Sequence, residues 1–156
     1  MVELEIVRME RLEVSVLVVL KEKSGARFIG LNVHTIDAFH LYLATMRLDN
    51  TRPLTHELYV NTLLAAGIVV DRVVITDIID NMLFGKLHLN QGGHRFTVEC
   101  RPSDGIITAL RMNAPIMCEQ SVLETFERIA KEQAGQLSDQ EALTMIQEMG
   151  DNIPKS

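Results

Sequence analysis

Two Arg-Pro pairs carry the residue types best suited to handling an anion: Arg52-Pro53-Leu54-Thr55-His56 and Arg101-Pro102-Ser103-Asp104. Each sets a fixed positive charge, a proline and a hydroxyl ahead of an apolar run with helical spacing. Proline suits the first turn of a helix, where its missing N–H would have no partner. Thr55 and Ser103 can accept a hydrogen bond from a backbone N–H two or three residues on, and so cap their helices. A helix N-terminus carries partial positive charge, and an arginine beside it makes a seat for phosphate. The planar fork of arginine holds two phosphate oxygens at once. Arg52, Arg101, Thr55 and Ser103 are therefore the candidate phosphate-binding residues. The same residues also make an ordinary good helix start, and spacing alone does not separate the two readings.

Hydrolysis of a phosphodiester needs an activated water, help for the leaving oxygen and positive charge around the phosphorus. Metal ions held by carboxylates meet that need, and so do His, Lys and Arg acting directly. On the metal-free route His56 is the general acid or base, since an unperturbed imidazole titrates near neutrality. On the metal route, with a divalent cation such as magnesium, the carboxylates are Asp104, Glu99 and Asp80, with Asp77 and Asp37 in reserve. Strand alternation puts Glu99 and Arg101 opposite Phe96, Val98 and Cys100, so Glu99 could converge with Asp104 at a strand-to-helix corner. The structural alternative has Asp104 complementing a helix dipole and pairing with Arg101 or Arg52, with His56 as a capping or packing residue. His-x-x-x-His, Cys-x-x-Cys and Asp-x-Asp patterns are lacking, so a tightly held zinc is not expected. His34, His40, His88 and His94 fit no motif. His40 reads as packing on its own helix, and His88 and His94 as solvated beside a hairpin.

The order Arg52-Pro-Leu-Thr-His-Glu-Leu58, Asp80-Asn-Met-Leu-Phe84, Arg101-Pro-Ser-Asp-Gly-Ile106, Ala114-Pro-Ile116 resembles the bacterial and plant bifunctional nuclease family. The resemblance runs from Met1 to about Glu124, and it is the pair of Arg-Pro motifs that makes it specific. It implies a nuclease degrading both DNA and RNA. Relatives carry a Gly closely followed by a Glu at the start of the first helix. Here Gly30 is kept, Val33 stands where that Glu would fall, and Asp37 becomes the counterpart when counted back from Arg52.

Charge argues the other way. The 156 residues include 15 Lys and Arg against 21 Asp and Glu, a net charge of −6. No two basic residues are adjacent, and nucleic-acid binders draw most of their affinity from gathered Lys and Arg. Tight duplex binding is not expected; weak, transient contact with single strands survives the objection. Aromatic residues are 4% of the chain, without tryptophan, so recognition should run through phosphates rather than base stacking. Tyr42, Tyr59, Phe39 and Phe84 take core-like positions in this reading. A non-enzymatic alternative fits the acidity as well: an oligomeric module that binds an anionic ligand or a protein partner.

Hydrophobic residues at 47% and charged ones at 23% are ordinary for a globular chain able to bury its own core. The longest apolar stretch, Val14 to Leu20, is too short to span a bilayer, and the N-terminus lacks the pattern of a signal peptide. Cys100 and Cys118 read as free buried thiols in a reducing, cytoplasmic setting.

The elements that must position these residues follow from periodicity. Glu3–Met9, Leu12–Leu20 and Ala26–Leu31 read as an antiparallel meander. His34–Leu48 reads as a helix with Ile36, Phe39, Leu43 and Met46 on its apolar stripe, ended by Asp49-Asn50-Thr51. Thr55–Ala66 is a second helix, stopped at Gly67. Ile68–Ile75, Met82–Leu89 and Arg95–Cys100 are strands joined by turns at Asp80-Asn81 and Gln91-Gly92-Gly93. Ser103–Met112 is a third helix and Ala114–Cys118 a last strand. The expected class is α+β, with a mixed, mainly antiparallel sheet layered against helices. Strands followed by an Arg-Pro helix occur in each half, the mark of an internal duplication.

The domain is expected to span residues 1–134, and residues 135–156 to form a helical extension and disordered tail. Two capping boxes, Ser121 with Glu124 and Ser138 with Glu141, should open the C-terminal helices. These acidic helices are a candidate surface for a protein partner. An exposed, Val-rich N-terminal edge strand would favour a homo-oligomer.

Overall fold

The computed structural model describes residues 1–135. One seven-stranded sheet runs in the order β3-β2-β1-β7-β4-β5-β6. Its strands are β1 (Val2–Arg11), β2 (Val16–Glu22), β3 (Phe28–Val33), β4 (Ile68–Ile79), β5 (Met82–Gln91), β6 (His94–Cys100) and β7 (Ile116–Cys118). All neighbours are antiparallel except β4 and β7. The helices are α1 (Thr35–Thr45), α2 (Thr55–Ala65), α3 (Pro102–Arg111) and α4 (Gln120–Ala134). The class is α+β, as the periodicity predicts. The second C-terminal capping box and the tail lie outside the described residues. No helix among those described is long and apolar enough to cross a membrane.

The strand order reads the same from both ends around β7. Meander β1-β2-β3 leads into α1, and meander β4-β5-β6 leads into α3. This is the duplication, with one correction. The counterpart of α3 is α1, which starts after His34 without an Arg-Pro, while α2 is an addition between the halves. The Val-rich N-terminal edge also needs correcting. Strand β1 lies inside the sheet between β2 and β7, and the edges are β3 and β6.

Turn chemistry explains the sharp corners. Asp80 and Asn81 both take positive φ, of 50° and 60°, as a two-residue hairpin turn with the right twist demands. Helices α1 and α3 end on left-handed residues that are not glycine, Arg47 (φ 54°) and Asn113 (φ 54°). Each closes with a backbone bond across six residues, Leu48 N to Leu43 O at 2.9 Å and Ala114 N to Ala109 O at 2.8 Å. The Arg47 guanidinium then donates to Asn113 Oδ1 at 2.6 Å, tying the two helix ends together. Helix α1 therefore ends at Thr45, short of the expected Leu48.

Capping differs from expectation too. The N-caps are Leu54, Arg101 and Glu119, with no side-chain cap bond from any of them. Thr55 and Ser103 already sit inside the first turns of α2 and α3. Helix α2 is instead capped in reverse, Leu54 N donating to Glu57 Oε2 at 2.7 Å. Glu119 N still bonds Ile75 O of β4 at 2.9 Å, so α4 begins directly after it and Ser121 falls within its first turn.

The core is centred under α3, where Ile106, Ile107 and Ala109 are fully buried against Val73, Ile75 and Leu87. Gly105 lets that helix sit down on the sheet. A Cβ there would lie 2.6 Å from Val73 Cγ2 and 2.9 Å from Cys100 Sγ.

Candidate active site

The fold brings the first turns of three helices to one place. Asp37 is the third residue of α1 and Asp104 the third residue of α3, so the two carboxylates hold equivalent positions in the two halves. Arg101, the N-cap of α3, reaches both. Its Nε and Nη2 donate to Asp104 Oδ2 at 2.7 Å and Oδ1 at 2.9 Å. Its Nη1 and Nη2 donate to Asp37 Oδ2 at 3.1 Å and Oδ1 at 3.2 Å. His56, the second residue of α2, completes the group with Nε2 2.9 Å from Asp104 Oδ1. An ionised carboxylate only accepts, so Nε2 donates to Asp104, and in the neutral ring Nδ1 is left with the lone pair. Nδ1 is buried without a hydrogen-bond partner. The ring of His40, one turn along α1 from Asp37, lies 4.8 Å from that of His56, centroid to centroid.

Electrostatics follow from this packing. Burial works against ionisation of Asp104, but the hydrogen bonds from Arg101 and His56 outweigh it and hold its carboxyl below the usual range. Burial, with His56 beside it, holds His40 below the usual imidazole value. Arg101 is locked in its charged form by Asp104 and Asp37. Burial raises the Cys100 thiol to about 11 and the Cys118 thiol to about 12, so both stay protonated at neutral pH.

A second buried pair supports the cluster from behind. Arg111, in the last turn of α3, donates from Nη2 to Glu57 Oε1 at 3.2 Å, and both side chains are 8% exposed. Arg111 also reaches Asp49 Oδ1 at 3.0 Å and Leu48 O at 3.2 Å. Glu57 collects Asn50 N at 3.0 Å and Leu54 N at 2.7 Å. Burial opposes the charge on Glu57, yet these bonds hold its pKa down. This pair fixes the start of α2, and with it His56.

The remaining candidates fall elsewhere. Strand register sets Glu99 across from Lys86, and Lys86 across from Val74. That row faces away from Leu87 and Val73, which are buried under α3. Glu99 has no hydrogen bond or ion pair to the cluster among the described residues, and the expected convergence with Asp104 is not seen. It lines, with Asp77, Phe84, Lys86 and Arg101, a cavity of about 580 Å³ at the sheet end. Asp80 is at the tip of the β4–β5 turn, roughly 15 Å along the strands from Cys100 at the usual rise per residue. Ser103 is buried, Thr55 and Arg52 are exposed, and Arg52 has no ion pair among the described residues. His88 is half-buried rather than solvated, its Nδ1 3.5 Å from Arg72 Nη2.

Carboxylate spacing also bears on the metal route. Among the described residues no three His, Cys, Asp or Glu side chains are grouped to hold a metal ion. The oxygens of Asp37 and Asp104 are already engaged by Arg101. This donor set does not fit a cation as it stands.

The chain matches the family model described as the Bifunctional nuclease domain over residues 18–131. The protein belongs to the bifunctional nuclease domain family. Two uncharacterized proteins of Mycobacterium tuberculosis, one from each of two strains, are 30% identical to it over 146 residues. That match covers 91% of this chain and 82% of each relative. The family assignment expected from the two Arg-Pro motifs therefore holds.

In this bifunctional nuclease domain Arg101→Ala would strand Asp37, whose side chain is 9% exposed and whose bonds run to Arg101. Uncompensated buried charge is costly, but Arg101 itself is 59% exposed. The expected loss is about 2–3 kcal/mol, below the full cost of breaking a buried pair. Adding Asp37→Asn should recover most of it, a coupling visible in urea titrations of the two variants.

Acidification should weaken the fold in two steps. His40 is depressed when folded, so its contribution is complete above the unfolded value near 6.5 and is lost as pH falls below it. Asp104 and Glu57 are also depressed. Their contribution is complete above the ordinary carboxylate range and is lost as pH falls through their lower folded values. Urea midpoints should drop from pH 7 to 5.5, less so in His40→Gln, and drop again below pH 4.

Proposed function

We propose that this protein is a nuclease hydrolysing phosphodiester bonds of DNA and RNA, acting on single strands through weak, transient contact. The observation that carries the reading, beside family membership, is the imidazole of His56 held by Asp104 next to the Arg101 guanidinium. A nucleophile-activating base needs an orienting partner, and Asp104 supplies one for His56. Once substrate binding opens access to His56 Nδ1, which is enclosed in the free protein, that nitrogen takes the proton of a water as the water's oxygen bonds to phosphorus. The proton then passes to the leaving oxygen as its bond to phosphorus breaks. Arg101 and the exposed Arg52 hold the phosphate oxygens, with the Thr55 hydroxyl at the first turn of α2.

One observation favours the non-enzymatic reading. Four N–H donor directions of Arg101 are committed to Asp104 and Asp37, which leaves little of its fork for a ligand. Incubation with labelled single-stranded DNA and RNA, with and without chelator, separates the readings. Cleavage by the wild type, absent from an Asp104→Asn/His56→Ala variant, supports the enzyme, and its persistence in chelator supports the histidine route. Equal cleavage by both proteins, or none by either, overturns the proposed site.

A further inference from the structure

The apolar stripe of α1 does not face the core. Ala38, Leu41, Leu43 and Ala44 are buried, while Ile36, Phe39, Tyr42 and Met46 are about half exposed, at 62, 46, 51 and 54%. Helix α1 is apolar on both sides, so periodicity alone could not choose the inward face. Helix α2 repeats the pattern with Leu54 at its start and Leu58 at 60% exposure. Each helix has 11 residues and one charged side chain, Asp37 or Glu57, and both of these are turned inward. Their ion pairs to Arg101 and Arg111 keep them there. The two helices thus turn no charged side chain of their own outward, on a chain of net charge −6, and the exposed Arg47, Asp49 and Arg52 of the segment joining them stand at the rim.

We propose that this α1–α2 face is the interface of a homodimer, with a second copy of the chain as its occupant. Charge selects the occupant. Two acidic copies repel over most of their surfaces, and an uncharged face is where they can approach. Such a face is self-complementary, as a two-fold interface requires. A strand of nucleic acid or a basic protein would find no charge on the apolar stripes themselves, only the mixed charges of Arg47, Asp49 and Arg52 at their rim. Exposed apolar patches of this extent mark interaction sites. The half-exposed side chains and their small neighbours offer roughly 600–800 Å² per copy, close to the share each partner gives to a standard interface.

Sedimentation velocity of the full chain tests this. The expected mass is twice the 17.5 kDa of one chain. Phe39→Glu/Leu58→Glu should halve that mass while keeping the helical circular-dichroism signal. Met82→Glu, at the exposed β4–β5 hairpin, should leave it doubled. The two tyrosines, Tyr42 and Tyr59, lie on these helices and tryptophan is absent, so wild-type fluorescence reports the face even if the double variant fails to fold. Acrylamide quenching should weaken as protein concentration rises. A single-chain mass for the wild type overturns the proposal, as does a folded Phe39→Glu/Leu58→Glu variant of doubled mass. Quenching that is weak and independent of concentration in a single-chain particle assigns the face to residues 136–156, and overturns it too.

Discussion

Arg111→Ala should cost about 3–5 kcal/mol of folding stability, the range for removing one partner of a buried pair. The guanidinium is almost enclosed and answers the equally enclosed Glu57 carboxylate, Asp49 and the Leu48 carbonyl. Without it, Glu57 keeps its bonds to Asn50 and Leu54 but remains a buried charge with no counterion among the described residues. Glu57→Gln placed on Arg111→Ala should return part of the loss, because a neutral amide no longer needs one. Arg111→Lys should not rescue fully, since an ammonium cannot reach Glu57, Asp49 and the carbonyl as one rigid fork. Chemical denaturation of the three variants checks this. A loss under 1 kcal/mol for Arg111→Ala would mean that the start of α2 is held by other contacts.

His56→Ala should lower cleavage of single-stranded substrate by about 10²–10⁴-fold, the usual worth of a positioned acid or base. Stability should change far less, because His56 leaves Nδ1 unpaired in the folded protein and contributes one hydrogen bond. His56→Gln keeps a donor toward Asp104 but lacks a base, so it should be as inactive as His56→Ala and more stable. Asp104→Asn should also reduce turnover, since an amide can turn its own N–H toward the ring and leave the imidazole in the wrong tautomer. Its stability should fall as well, through the loss of a charged partner for Arg101. Initial rates at saturating substrate, set against urea midpoints, separate the catalytic losses from the structural ones.

Much of this arrangement was legible in the chain before the structure. Strand alternation and turn residues placed the two meanders, because each hairpin is short and its Asp80-Asn81 or Gly92-Gly93 turn permits few conformations. Helical faces were harder to read. In α1 apolar residues line both sides, so Ile36, Phe39 and Met46 read as core although Ala38, Leu41 and Ala44 are the ones buried. Helix ends were missed where a non-glycine residue takes the left-handed conformation, as Arg47 does to reach Asn113.

Within the site, local spacing pointed to Arg101 with Asp104 and to His56, and pairing of Arg101 with Asp104 was one of the two readings left open. What it could not supply was distance between elements. Asp37 joins Arg101 across 64 residues and His56 joins Asp104 across 48. The sequence offers Asp37 as a reserve carboxylate and as the counterpart of the relatives' Glu; what ties it to this site is its place as the third residue of the helix after the first meander, as Asp104 is after the second. Glu57 and Arg111 left no such trace, since each looks like an ordinary helix-end charge until α2 and α3 are brought together.

The most direct test of the account is cleavage of labelled single-stranded RNA and DNA by Asp37→Asn/Arg101→Ala, purified beside the wild type. Neutralising Asp37 along with the loss of Arg101 keeps the fold, so activity is read without collapse of the site. The account predicts a folded protein with urea midpoint near that of the wild type and cleavage reduced at least 100-fold, the low end of what one positioned transition-state donor contributes. Undiminished cleavage by this folded variant would contradict it, and would move the chemistry away from the corner where α1, α2 and α3 begin.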